Sequence, residues 1–178
     1  MQAAETSPVR ISRTSAIVLW GTPDEVFPLF GPIREKEWAP GWDPTIIYPS
    51  GVLAEAHMVL TSRSHEAGEA DSTWTISTYD PEYGSIEYTV FAPGRLWTIA
   101  IRCHPGQADR TTRAEVTYTY TGVTDRGRRL NEVALERMFH RDLKDWEEQI
   151  NRTLDGRAGR SDPLDQHRRD GRACRCEA

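Results

Sequence analysis

TTRAEVTYTYTGVTDRGRRLNEVALERMFHRDLKDWEEQINRTL, residues 111–154, changes its hydrophobic period once, near Gly122. Up to Thr121 the pattern has period two. Ala114, Val116, Tyr118 and Tyr120 face one way, while Arg113, Glu115, Thr117, Thr119 and Thr121 face the other. One apolar and one wet face predict a strand of an antiparallel sheet. Beyond Asp125 the period becomes helical: Leu135, Phe139, Leu143, Trp146 and Ile150 recur at spacings of four, four, three and four. Leu130, Ala134 and Met138 widen this stripe. A helix over about residues 126–154 is therefore expected to follow a sheet and to bury a broad face in it. Asp142 breaks the stripe, because helical geometry sets it between Met138 and Trp146. A carboxylate there must be paired, solvated or at the stripe's edge.

Working backwards, the segment 72–122 reads as short strands joined by tight turns. Ser72 to Tyr79 carries Trp74 and Ile76 on one face; Ser85 to Phe91 carries Ile86, Tyr88 and Val90; Leu96 to Cys103 carries Trp97, Ile99 and Ile101. The turns are too short for crossover helices, so the sheet is a meander. Further upstream, Ala54 to Ser62 sets Ala56, Met58 and Leu60 on one face, and Thr45 to Tyr48 is a short strand. A first strand, Ser12 to Trp20, is expected with Ala16, Val18 and Trp20 inward. Thr22-Pro23-Asp24-Glu25 then opens a short helix ending by Phe30, with Thr22 as N-cap, Pro23 at the first turn, and Val26, Phe27 and Phe30 inward. Between Gly31 and Pro49, a proline-stiffened loop holds Trp38 and Trp42, which either plug one end of the core or line a pocket.

Composition limits the function classes. The 178 residues suit one domain with one core. A net charge of −5 argues against nucleic acid as a partner, since phosphate binding needs a clustered basic face. No apolar run spans a bilayer, and residues 1–13 lack a secretory apolar core, so a cytoplasmic protein is expected. Residues 1–12 are expected to be flexible. Residues 155–178, rich in Arg and poor in apolar residues, read as a disordered tail. The cysteines at 103, 174 and 176 form no disulfide framework, and Cys174-Arg-Cys176 beside His167 offers too few ligands for zinc. No nucleophile elbow, zinc-protease helix, P-loop or dinucleotide fingerprint is present, and His57, His65, His104, His140 and His167 lack ligand spacing. Neither metal nor cofactor is expected.

With these elements placed, the chain resembles the START-like (SRPBCC) helix-grip superfamily, which includes Bet v 1-like, polyketide cyclase and Aha1-type proteins. The resemblance is nearest to uncharacterised bacterial SRPBCC proteins. It rests on Glu25-Val26-Phe27-Pro28-Leu29-Phe30, on WAPGWDP (38–44), on TISTYDP (75–81), on Ile86-Glu87-Tyr88, on the strand 116–121 and on the helix 139–154 with Trp146-Glu147. It covers residues 13–154 as one domain. The resemblance implies an α+β fold: a curved antiparallel sheet of about six or seven strands wrapped around the C-terminal helix, small helices after the first strand, and an apolar pocket between sheet and helix. It also implies binding of a small hydrophobic ligand such as a lipid or polyketide, by a monomer or homodimer. The alternatives are an aromatase/cyclase- or dehydratase-type enzyme and an Aha1-type protein-interaction module. On this reading the ligand contacts are Trp38, Trp42, Met58, Leu60, Trp74, Ile76, Tyr88, Val90, Tyr118, Tyr120, Met138, Phe139 and Asp142. Tyr118, Tyr120 and Asp142 are the catalytic candidates, because a phenol beside a carboxylate can orient a carbonyl and assist proton transfer.

Overall fold

The computed structural model describes residues 9–51, 53–64 and 70–158. Among them seven strands form one antiparallel sheet: β1 (Arg10–Leu19), β2 (Thr45–Tyr48), β3 (Val59–Ser62), β4 (Ser72–Asp80), β5 (Ser85–Ala92), β6 (Arg95–Pro105) and β7 (Thr112–Gly122). Their spatial order is β1-β7-β6-β5-β4-β3-β2, a meander from β2 to β7 with β1 added beyond β7. A helical turn α1 (Pro23–Val26) runs into 3-10 turns at Phe27–Phe30 and Arg34–Glu37. The C-terminal helix comprises α2 (Asp125–Arg137), a π turn (Met138–Asp142) and α3 (Leu143–Ala158). α2 packs on β7, β1 and β6, and α3 on β1.

The core lies between the sheet and this helix. Ile86, Tyr88 and Val90, then Trp97, Ile99 and Ile101, then Ala114, Val116, Tyr118 and Tyr120 are all buried, as their alternation demands. The Thr22–Phe30 entry also folds as its residues dictate. The Glu25 carboxylate accepts the Thr22 backbone N–H at 2.8 Å, and Val26, Phe27, Leu29 and Phe30 are buried.

Four expectations need correction. β1 points the other way: Ile17 and Leu19 are buried, whereas Val18 and Trp20 are half-exposed. Directly opposed residues share a face, and β7 pairs Ile17 with Ala114 and Ile11 with Tyr120, so the inner face of β7 fixes that of β1. β1 also begins at Arg10, inside the segment expected to be flexible. β3 starts only at Val59, because His57 adopts a positive φ of 67° and holds Ala56 in a turn before the strand. Finally, α3 continues to Ala158, past the expected end at Leu154. The rest of the expected tail, with Cys174, Cys176 and His167, lies outside the described residues, as does His65.

α3 also grips the outer edge of β1. The Asn151 amide accepts the Trp20 N–H at 2.8 Å and donates to the Val18 carbonyl at 3.0 Å, while Glu147 accepts the Val18 N–H at 2.9 Å. Asn151 is buried, so its truncation leaves strand groups unpaired beneath the helix. Asn151→Ala is expected to lower stability by about 1–3 kcal/mol, read by urea denaturation.

Candidate functional site

A chain of aromatic rings crosses the concave side of the sheet. Trp42 meets Trp74 at 5.3 Å between ring centroids, and Trp74 meets Trp97 at 6.3 Å. Trp97 meets Tyr120 at 5.9 Å, Tyr120 meets Tyr118 at 5.8 Å, Tyr118 meets Trp146 at 6.4 Å, and Trp146 meets Trp38 at 5.4 Å. The period-two strands supply the rings from β4 to β7, the helical stripe supplies Trp146, and the proline-rich loop supplies Trp38 and Trp42.

Inside this chain lies a chamber of about 40 Å³, lined by Phe30, Glu35, Trp38, Trp74, Tyr88, Ile99, Ile101, Tyr118 and Trp146. A cavity needs about 10–15 Å³ to hold one water, so the space suits a guest of a few heavy atoms. Larger hollows of about 740 and 570 Å³ are open clefts on the outside, the first edged by Lys144, Glu147, Glu148 and Arg152, the second by Asp43, Arg63 and Asp71.

Most polar handles of the rings are already engaged by protein. Tyr88 donates to the Phe30 carbonyl at 2.6 Å, Trp38 to the Leu29 carbonyl at 2.7 Å, Trp42 to the Pro32 carbonyl at 2.8 Å, and Trp74 to the Ser62 hydroxyl at 2.9 Å. Three of these bonds satisfy carbonyls of the loop segment 29–32, fastening it to the core. Among the groups lining the chamber, the Tyr118 hydroxyl, the Trp146 indole N–H and the Glu35 carboxyl have no hydrogen-bond partner among the described residues. Glu35 is half-buried as a residue, yet its side chain lines the chamber, and burial pushes its carboxyl from 4.5 up to about 8. Burial drives the Tyr118 and Tyr88 hydroxyls well above their ordinary value, with a smaller contribution from Glu35.

Of the residues put forward from sequence, Trp38, Trp74, Tyr88 and Tyr118 meet around the chamber. Met58, Leu60, Ile76 and Val90 are fully buried in solid core beside it. Tyr120 stacks on Tyr118 away from the chamber lining, and Trp42 borders the outer cleft of 570 Å³. Met138 and Phe139 fall in the π turn, whose extra residue per turn rotates the stripe, and Phe139 lies under the Arg13 guanidinium at 5.2 Å. Asp142, also in that turn, accepts from Arg137 at 3.2 Å and from Arg141 at 3.0 Å, so it is a paired carboxylate. Sequence reasoning missed Glu35. It sits in a charged run, Arg34-Glu35-Lys36-Glu37, that reads as surface, and only a one-turn helix between Phe30 and Trp38 aims one member inward.

No known sequence family matches this chain, and no curated protein does. Solved structures do. Norcoclaurine synthase from Thalictrum flavum, in a point mutant bound to a transition-state analogue, superposes with a TM-score of 0.64 at 12% identity, over 84% of this chain and 97% of that one. An aromatase/cyclase from a Streptomyces species gives 0.59 at 15% identity, over 82% and 96%. Ara h 8.0201 gives 0.54 at 15% identity, over 83% and 96%. The fold is the Bet v 1-like helix-grip. In this helix-grip the gripping helix is α2–α3, and the chamber occupies the space between sheet and helix. Among the described residues no helix is long and apolar enough to cross a membrane, and no group of three His, Cys, Asp or Glu side chains is placed to hold a metal. Cys103 is buried, with its thiol pushed up to about 12, and so is poorly suited to act as a thiolate.

Proposed function

We propose that this protein binds a compact, largely apolar small molecule in the chamber between the sheet and α3. The observation that carries this reading is a partly enclosed, aromatic-lined space holding a desolvated carboxyl and a phenol, neither with a protein partner among the described residues. Binding sites are mostly apolar with a few polar groups that orient the guest, and this chamber has that composition. Its volume favours molecules of one ring or smaller over the lipids and polyketides expected from the superfamily resemblance. A single ring still requires the chamber to widen. Titration with phenol, indole and a long-chain fatty acid, followed by tryptophan emission, tests this. Phenol or indole is expected to give a saturable change that Trp146→Leu removes, and the fatty acid none. The absence of saturation with every compound overturns the reading.

A second reading, acid–base catalysis of cyclisation or dehydration, is favoured by the proximity of Glu35 and Tyr118, two proton-bearing groups lining one chamber. It expects Tyr118→Phe to abolish turnover of a short β-polyketone with the fold retained. Tyr120 and Asp142 are weaker candidates, the first lying outside the chamber lining and the second paired with two arginines.

A further inference from the structure

We infer that the chamber is a receptor for a small alkylammonium ion, with Glu35 as its counter-ion and the surrounding rings of Trp38, Trp74, Trp146 and Tyr118 as its cage. This rests on the binding reading above and names the chemistry of the guest. A carboxyl set among aromatic rings without a donor among the described residues is electrostatically incomplete. Aromatic faces are themselves partly negative and attract cations, most strongly where water is excluded. An alkylammonium supplies both needs at once: its N–H groups donate to Glu35, and its alkyl carbons lie against the rings. The hydroxyl of Tyr118 adds an acceptor. Tyr88 cannot act the same way, since its hydroxyl already donates to the Phe30 carbonyl.

The groups facing Glu35 leave it as the site's one titrating member near neutral pH. Tyr88 on β5 and Tyr118 on β7 are driven well above their ordinary value by burial, and Tyr79 on β4 is raised as well, so all three stay protonated. From the C-terminal helix, Asp142 near Tyr118 is bonded to Arg137 and Arg141. On the outer side of the same short turn, Glu37 pairs with Arg34 and Arg157. With its carboxyl at about 8, Glu35 is neutral at pH 6 in the empty chamber. Entry of the cation then requires the carboxyl to release its proton to solvent: one proton leaves, one ammonium enters, and the chamber's charge is balanced. Apparent affinity should therefore rise about tenfold per pH unit from pH 6 towards 8 and level off above it.

Ethylammonium and ethanol form a nearly isosteric charged and neutral pair, and the amine stays charged across this range, as a lysine does. Each is titrated into the full-length protein at pH 6, 7, 8 and 9, following the indole N–H resonances of Trp38 and Trp146. The expected result is saturation by ethylammonium with the pH profile above, and binding of ethanol weaker by about tenfold or more at pH 8. Glu35→Gln is expected to keep the fold and remove both the preference and the pH dependence. Equal binding of the two compounds, or a flat pH profile for ethylammonium in the unaltered protein, overturns the proposal whether or not the variant folds. If phenol or indole binds while ethylammonium does not, only the cation assignment falls; if none of them binds, the binding reading falls with it.

Discussion

Replacing Glu35 by Gln is expected to stabilise this protein at alkaline pH and to do nearly nothing at acid pH. In the folded chain the carboxyl holds its proton up to about pH 8, whereas in the unfolded chain it ionises around 4.5. Between these values the folded state binds more protons than the unfolded state, so stability falls as pH rises through the window. The stabilising share of this group is complete below 4.5 and lost by the time pH passes 8. Over that interval the loss is about 3–5 kcal/mol. Gln carries no charge to desolvate and keeps the side chain's size. The variant should thus gain about 3–5 kcal/mol on the parent between pH 4 and pH 8, a difference of roughly 10 °C in Tm for a chain of this length. Urea denaturation of both proteins at pH 4, 6 and 8 reads the effect, and other titrating groups cancel in the comparison. Parallel pH curves would show that the carboxyl is solvated after all.

The second large effect runs against helix propensity. Gly127 lies in the first turn of α2, where alanine would normally add about 1 kcal/mol. Here a Cβ would stand 2.0 Å from the Gly94 carbonyl oxygen and 2.8 Å from its carbon. Both are backbone atoms of the β5–β6 turn, which is itself held by a positive φ of 82° at Gly94. The same carbonyl accepts from the N–H groups of Val123 at 2.8 Å and Thr124 at 3.1 Å, so it cannot retreat without breaking the start of the helix. Gly127→Ala is expected to cost about 3 kcal/mol or more, and to detach the N-terminal turn of α2 from the sheet. Thermal denaturation gives the magnitude, and amide exchange at Val123 and Thr124 gives the location. A neutral or stabilising result would mean that α2 can slide away from Gly94.

The sheet was legible because its strands obey strict alternation against a single core. Val116, Tyr118 and Tyr120 could point only one way once Thr117 and Thr119 were given to water. β1 was misread because Val18 and Trp20 are as apolar as Ile17 and Leu19, and only pairing with β7 decides between the two sets. The helical stripe was legible in period but not in phase. A π turn at Met138–Asp142 leaves no signature in composition, yet it sets Phe139, only partly buried, at the edge of the core under Arg13 and gives Asp142 two arginine partners. The chamber was half legible. Its aromatic walls follow from strand and helix faces, but Glu35 enters it from a four-residue turn whose direction is set by Trp38 bonding to the Leu29 carbonyl and by Tyr88 bonding to that of Phe30.

The side-chain clasp between α3 and β1 bears on solubility. A seven-stranded open sheet has two rims, each a template for pairing with another copy. The rim at β2 is only four residues long and is bounded by Pro44 and Pro49, which cannot donate to a neighbouring strand. The rim at β1 is ten residues long, and Asn151 and Glu147 occupy its backbone groups at Val18 and Trp20. Peeling α3 away would uncover that rim while the remaining strands stayed paired. A state with α3 detached is therefore prone to polymerise, and substitutions that loosen the clasp are expected to reveal themselves as concentration-dependent precipitation.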